Sequence, residues 1–265
     1  MKHYIDFHED VSFEDLDYML EIASDMKAKT KAGIKHHYLD GKSLAMIFTK
    51  SSTRTRVSFE VGMYQLGGQA LFLSNNDIQI GRGETIHDTA KVLSGMVDAI
   101  MIRTFDHQDV VDLAKYGSIP VINGLTDDQH PTQALADLLT IKEHKGSFDG
   151  RKMCFIGDGN NMANSLIVGC LKMGMAVSIA CPDDYQPPKE ILDFAAQYDC
   201  FEMTNSPAQA AKDADVLITD VWASMGQESE ADERKKIFKN YQVNDALMAV
   251  TNKDSLVMHC LPAHR

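Results

Sequence analysis

The sequence predicts an α/β chain built as two doubly wound domains, each with a mostly parallel sheet flanked by helices. Three observations carry this expectation. Short apolar runs recur in both halves of the 265 residues. Stretches of helical periodicity separate them, which is how parallel α/β sheets read. The length is enough for two ordinary hydrophobic cores.

In the first half the strand candidates are 44–48, 70–73, 99–102 and 120–122. In the second they are 153–156, 176–180, 216–218 and 256–258. A helix after the first run carries Val57, Val61 and Tyr64 at helical spacing and closes at Gly67-Gly68. Another opens at Pro131, where proline suits the first helical turn, with Leu135, Leu138 and Leu139 on one face. It ends near Lys145-Gly146-Ser147-Phe148-Asp149-Gly150, the expected hinge between domains 1–145 and 146–265.

Composition narrows the function classes. With 44% hydrophobic and 24% charged residues the chain reads as soluble and globular. No apolar run approaches the roughly 18–20 residues of a membrane span. The N-terminus lacks the pattern of a secretory leader, so a cytoplasmic location is expected. A net charge of −12 argues against general nucleic-acid or membrane-surface binding. Five cysteines without a C-x-x-C pair argue against a disulfide framework or structural zinc site. Cys154, Cys170, Cys181 and Cys200 lie in or beside apolar segments and are expected to be buried thiols. No metal ligands cluster along the sequence, so neither a metal nor another cofactor is expected.

Ligands in such sheets bind beyond the carboxyl ends of the strands. After 44–48 comes Thr49-Lys50-Ser51-Ser52-Thr53-Arg54-Thr55-Arg56, leading into a helix. A strand-to-helix turn offers unpaired N–H groups and the positive end of the helix dipole. Ser52, Thr53 and Thr55 add hydroxyl donors, and two arginines offer planar forks suited to phosphate oxygens. The competing reading is a Ser/Thr N-cap with arginines on a solvated face. No Walker loop is present, so nothing points to ATP.

Ser52-Thr53-Arg54-Thr55-Arg56 resembles the S-T-R-T-R signature of the carbamoyltransferases, whose turn holds the phosphate of carbamoyl phosphate. Gln79, Arg103 and His130-Pro131-Thr132-Gln133 follow in that family's order. The resemblance implies that Arg103, His130 and Gln133 bind the carbamoyl end, with Gln79 on an intervening loop. Alone, His before Pro at a helix start is more often a cap or packed residue, but its position after Asn123-Gly124-Leu125-Thr126 at a strand's carboxyl end favours a site. Carbamoyl transfer passes through a tetrahedral oxyanion, and donors such as Arg54, Arg103 and His130 would stabilise it and the departing phosphate.

Run 153–156 leads into Gly157-Asp158-Gly159-Asn160-Asn161-Met162. A dinucleotide fingerprint would need glycine at Met162, where a side chain spoils close helix–strand packing. The stretch is instead similar to the corresponding Gly-Asp and Asn-Asn stretch of ornithine carbamoyltransferases, which implies that Asn161 holds the substrate's amino-acid end. Asp220-Val221-Trp222-Ala223-Ser224-Met225-Gly226-Gln227-Glu228 resembles the same group's D-V-W-x-S-M-G-Q-E loop. The resemblance assigns Asp220 to the α-ammonium and Ser224 and Met225 to a closing loop. On residues alone, Asp220 is equally a strand-end cap and Trp222 a packing residue.

His259-Cys260-Leu261-Pro262 matches the family's H-C-L-P. Cys260 and the Leu261 carbonyl are expected to line the catalytic site and to accept from the ornithine δ-amine, which must be neutral to attack. Direct attack by that amine requires no cysteine nucleophile. Relatives run several tens of residues beyond the position of Arg265, so a truncated form is expected, without the segment that supplies another phosphate-binding arginine and a last helix. The implied activity joins carbamoyl phosphate to L-ornithine, giving citrulline and phosphate in arginine metabolism, with a homotrimer as the implied assembly. Alternatives are a carbamoyltransferase for another amine and a catalytically silent carbamoyl-phosphate-binding paralogue.

Overall fold

A computed structural model describes residues 2–8, 11–224 and 226–263. Its contacts divide the chain into two compact units, Met1–Thr132 and Gln133–Arg265. Each holds one parallel sheet, as the expected fold class requires. The strands are β1 (Ser43–Phe48), β2 (Gln69–Ser74), β3 (Ala99–Arg103), β4 (Val121–Leu125), β5 (Lys152–Ile156), β6 (Ala176–Ala180), β7 (Phe201–Thr204), β8 (Val216–Thr219) and β9 (Leu256–His259).

In the first unit the order is β2-β1-β3-β4, all parallel. Both faces of β1 are covered. Ala45 and Ile47 pack with Ile100, Ile102, Val110 and Leu113 on one side. Leu44, Met46 and Phe48 pack with Met63 and Met101 on the other. Alternate side chains of a strand point to opposite faces, so a five-residue apolar run is what a doubly covered strand needs. The chain first moves from β1 to one neighbour and later resumes on the other, so the order reverses between β1 and β3. Such a reversal leaves a crevice at the strands' carboxyl ends.

The second unit repeats this logic with β7-β6-β5-β8-β9, again parallel. Here the reversal lies between β5 and β8. The Asn161–Lys172 helix is buried at every position from Met162 to Leu171, the polar Asn164 and Ser165 included.

Two sequence expectations differ in detail. β7 was not among the expected strands; it is a four-residue edge strand whose middle positions, Glu202 and Met203, are exposed. Cys200 is exposed rather than buried, because it sits in the turn entering that edge strand. The Val57, Val61 and Tyr64 stripe also faces outward. Met63 is instead the buried residue of the Thr53–Gln65 helix.

Candidate active site

At the first unit's reversal point, the backbone N–H groups of Thr49 and Lys50 donate to the Arg103 carbonyl at 3.0 and 3.3 Å. This ties the loop after β1 to the end of β3. The pairing of β3 with β4 shifts register between Ile102 and Arg103, so the strand releases Arg103 where the pairing becomes irregular. Ser52 caps the Thr53–Gln65 helix, its Oγ accepting from the Thr55 N–H at 3.2 Å and donating to the Thr55 hydroxyl at 3.0 Å. The N-cap reading of this turn is therefore correct as local geometry. It does not compete with anion binding, since a capped helix start still presents the dipole and further N–H groups.

The two arginines of the turn part company. Arg56 donates through Nε to Glu60 at 3.0 Å and lies 3.6 Å from the centroid of the Phe72 ring. Arg54 and Thr53 are exposed in the first helical turn. Arg103 is buried, 7% exposed. His130 precedes the Pro131–Lys145 helix, with Nδ1 3.4 Å from the Thr132 hydroxyl. Burial, then the charges of Arg103 and Lys50, push its imidazole down to about 3. It is thus neutral near pH 7, and a neutral imidazole can donate one N–H without adding charge. Gln79 is exposed beyond β2, and its side chain makes no capping hydrogen bond to the short turn it precedes.

The second unit assembles a more tightly bonded cluster. Asp220 follows β8, and its Oδ1 accepts from the Val221 N–H at 2.7 Å and from the Cys260 thiol at 3.0 Å. Its Oδ2 accepts from Asn160 Nδ2 at 3.0 Å, a bond that spans the reversal point between β5 and β8. The Asn160 Oδ1 meanwhile caps the next helix through the N–H groups of Met162 and Ala163. Burial, reinforced by the charge of Asp220, holds the Cys260 thiol well above its ordinary range. Cys260 is therefore a protonated donor, not a thiolate. Asn161 opens the helix and is half-buried. Ser224 is half-buried, its N–H donating to Gln227 Oε1 at 2.9 Å. Met225 lies outside the described residues. Leu261 is half exposed and has a positive φ of 45°, which points the backbone out of the strand direction. Gln133 Nε2 donates to Asp137 Oδ1 at 3.0 Å.

Two family patterns match this chain. The aspartate/ornithine carbamoyltransferase carbamoyl-P binding domain covers residues 2–143, and the Asp/Orn binding domain of the same family covers 149–265. The chain belongs to the aspartate/ornithine carbamoyltransferase family. Among its relatives, ornithine carbamoyltransferase of Anoxybacillus flavithermus is 56% identical over 97% of this chain and 83% of its own length. That of Bacillus subtilis is 57% identical over 97% of this chain and 81% of its own length. The solved ornithine carbamoyltransferase of Pyrococcus furiosus superposes with a TM-score of 0.95 at 52% identity, covering 100% of this chain and 86% of that one. The anabolic enzyme of Campylobacter jejuni gives 0.93 at 41% identity, covering 100% and 88%.

Within this carbamoyltransferase scaffold, three residues gain roles that sequence reasoning did not give them. Lys50 is buried, with Nζ 2.8 Å from Asp127 Oδ1 and 4.9 Å from the Phe105 ring centroid, and its charge reaches His130. Asn160 donates through Nδ2 to Asp220. Arg234 is 5% exposed and donates through Nη1 to Asp158 at 2.8 Å and to the Trp222 carbonyl at 3.0 Å. It fastens the loop after β8 to the loop after β5. Burial pushes the Asp158 carboxyl up to about 6, although the Arg234 charge opposes this. Nothing local signalled Arg234.

The fold also brings Asp220, His259 and Cys260 together, with ligand atoms within 4.8 Å of one another. The sequence expectation of no clustered ligands is corrected to that extent. These donors are already engaged: the thiol is protonated and bonded to Asp220, and His259 Nδ1 accepts from the Leu261 N–H at 3.0 Å. Thiol ligation would require losing that proton. Gly159 has a different constraint. A Cβ there would meet the Gln186–Pro187 backbone at 2.3–2.4 Å. The open side that a pyrophosphate would need at a dinucleotide turn is filled by the chain's own segment.

Proposed function

We propose that this chain is an ornithine carbamoyltransferase in residue-level detail as well as in family. Carbamoyl phosphate donates its carbamoyl group to the δ-amine of L-ornithine, and citrulline and phosphate leave. The C–N bond forms, the C–O bond to phosphate breaks, and the amine loses a proton. Ser52, Thr53, Arg54 and Thr55 hold the phosphate. Arg103 and neutral His130 donate to the carbamoyl oxygen, where negative charge builds in the tetrahedral transition state. Gln133 takes the carbamoyl amino group, with Cys260 and Leu261 beside the same moiety and Gln79 contributing from its loop. Asn161 and Asp220 hold the amino-acid end of ornithine, with Ser224 and Met225 on the loop over it.

The observation that carries this reading is the Asp220 cluster. A carboxylate held by Asn160 and by a protonated thiol is a fixed anionic site, complementary to an ammonium group and opposed to a dicarboxylic substrate. The residues 1–145 would then serve carbamoyl phosphate and 146–265 ornithine. The named relatives, one of them anabolic, support a place in arginine biosynthesis, with a cytoplasmic homotrimer as the proposed form. Among the described residues no helix is long and apolar enough to cross a membrane. The test is citrulline formation by the purified protein with ornithine, aspartate and putrescine compared. Carbamoylation of ornithine alone is expected; preference for either other amine, or tight phosphonate-analogue binding without turnover, overturns the reading.

A further inference from the structure

Asp137 has no part in the chemistry above, yet it is an expensive residue. It lies on the Pro131–Lys145 helix among the fully buried Leu138 and Ile141 and is itself 6% exposed. One carboxyl oxygen, Oδ2, is buried without a hydrogen-bond partner. A half-satisfied buried carboxylate costs stability, and an apolar residue would fit such a helix face more cheaply. Burial and the nearby charge of Asp220 both push its carboxyl upward, to about 7. What the residue does accomplish is one bond, from Gln133 Nε2 to its Oδ1 at 3.0 Å, one helical turn away.

That bond matters because a glutamine amide has two faces. Its NH2 donates and its oxygen accepts, and unrestrained it can present either. A carbamoyl group also has two faces: an oxygen that accepts and an amino group that donates. The donors Arg103 and His130 can read only the oxygen, which an acyl phosphate such as acetyl phosphate shares. Discriminating the amino group requires a fixed acceptor.

We propose that Asp137 is a positioning residue that ties down the Gln133 NH2, so that the Gln133 Oε1 is the atom presented to the carbamoyl amino group. It thereby selects carbamoyl phosphate over acyl phosphates that carry a methyl group at that place. The inference rests on the reading of Gln133 as a carbamoyl-binding residue. Protonation of Asp137 leaves the arrangement intact, since the unpartnered Oδ2 can take the proton while Oδ1 remains an acceptor.

The experiment compares the full-length protein with Asp137→Leu, Asp137→Asn, Gln133→Leu and the Asp137→Leu/Gln133→Leu double variant. It measures KM for carbamoyl phosphate and the competitive Ki of acetyl phosphate. Asp137→Leu is expected to raise KM by about tenfold, the scale of one lost hydrogen bond, with Ki within about twofold of the parent. Asp137→Asn, which keeps an acceptor, should recover most of that loss. The Asp137 substitution should add nothing in the Gln133→Leu background. If Asp137→Leu does not fold, Asp137→Ala carries the same comparison. Equal rises in KM and Ki, or a full Asp137 effect in the Gln133→Leu background, overturn the inference. An unchanged Gln133→Leu overturns the reading of Gln133 and this inference with it. An impaired Gln133→Leu beside an unaffected Asp137→Leu overturns the Asp137 role alone.

Discussion

The thiol of Cys260 donates to Oδ1 of Asp220 at 3.0 Å. The bond joins the residue after β9 to the residue after β8, so the ends of two adjacent strands share one hydrogen-bonded pair. Burial and the carboxylate's charge both keep the thiol protonated. Alkylation needs the thiolate. At pH 8, iodoacetamide should label exposed Cys200 at least about tenfold faster than Cys260, as read by peptide mass spectrometry. Equal or faster labelling of Cys260 would remove the protonated-thiol assignment.

Arg54 sits exposed in the first turn of a helix whose N-cap is already satisfied by Ser52. Arg54→Ala should therefore lower kcat/KM for carbamoyl transfer by about 10²–10³, the usual cost of losing one transition-state donor. The circular dichroism spectrum and thermal midpoint should stay close to those of the parent. Unchanged kinetics would refute its phosphate role.

For His130 the expectation concerns protonation. Its imidazole, lowered by burial and by the Arg103 and Lys50 charges, protonates only at about 3. Between that value and the ordinary one near 6.5, the unfolded chain binds a proton that the fold does not. This contribution to stability is present above about pH 6.5 and is lost as pH falls toward 3. NMR of the ring nitrogens should show no titration of His130 between pH 8 and pH 5; a midpoint near 6 would contradict its neutral role.

The sheets and most of the candidate site were legible in the sequence because each rests on a local pattern. Apolar runs of three to five residues gave eight of the nine strands, and β7 escaped because half its short length is exposed. Ser52 and Asp220 announce themselves by following such runs. Lys50, Asn160 and Arg234 do not, because their bonds reach 77, 60 and 76 residues along the chain. Cys200 was misread for the same reason. Only the strand order reveals that its neighbour is an edge.

The Arg234 to Asp158 pair gives a stability prediction. Both side chains are buried, and removing one partner strands the other's charge. Arg234→Leu should cost about 3 kcal/mol of unfolding free energy. Adding Asp158→Asn should recover part of that loss, since the orphaned carboxylate is then gone. Denaturant titration of the two variants measures both effects; equal stability of the single and double variants would sink the pairing argument.

Asp137 has the opposite pH signature to His130. Its carboxyl is raised to about 7, chiefly by burial, so between the ordinary 3.8 and 7 the fold binds a proton that the unfolded chain releases. The protonation advantage is whole below about pH 4 and declines as pH rises toward 7. Asp137→Asn removes this dependence. Its thermal midpoint should match the parent near pH 4 and exceed it by at least about 3 °C above pH 7. A parent more stable than the variant at pH 8 would show that the carboxylate is better compensated than its unpartnered oxygen indicates.

The close approach at Gly159 also bears on how this scaffold could change. A nucleotide-binding architecture is often treated as open to retrofitting, with a few glycines restoring cofactor affinity. Here the backbone of Gln186–Pro187 already lies against that glycine, so substituting Met162 alone would leave the way blocked. Acquiring such a cofactor would require rerouting the segment between β6 and the Lys189–Ala195 helix, an insertion or deletion and not a point change.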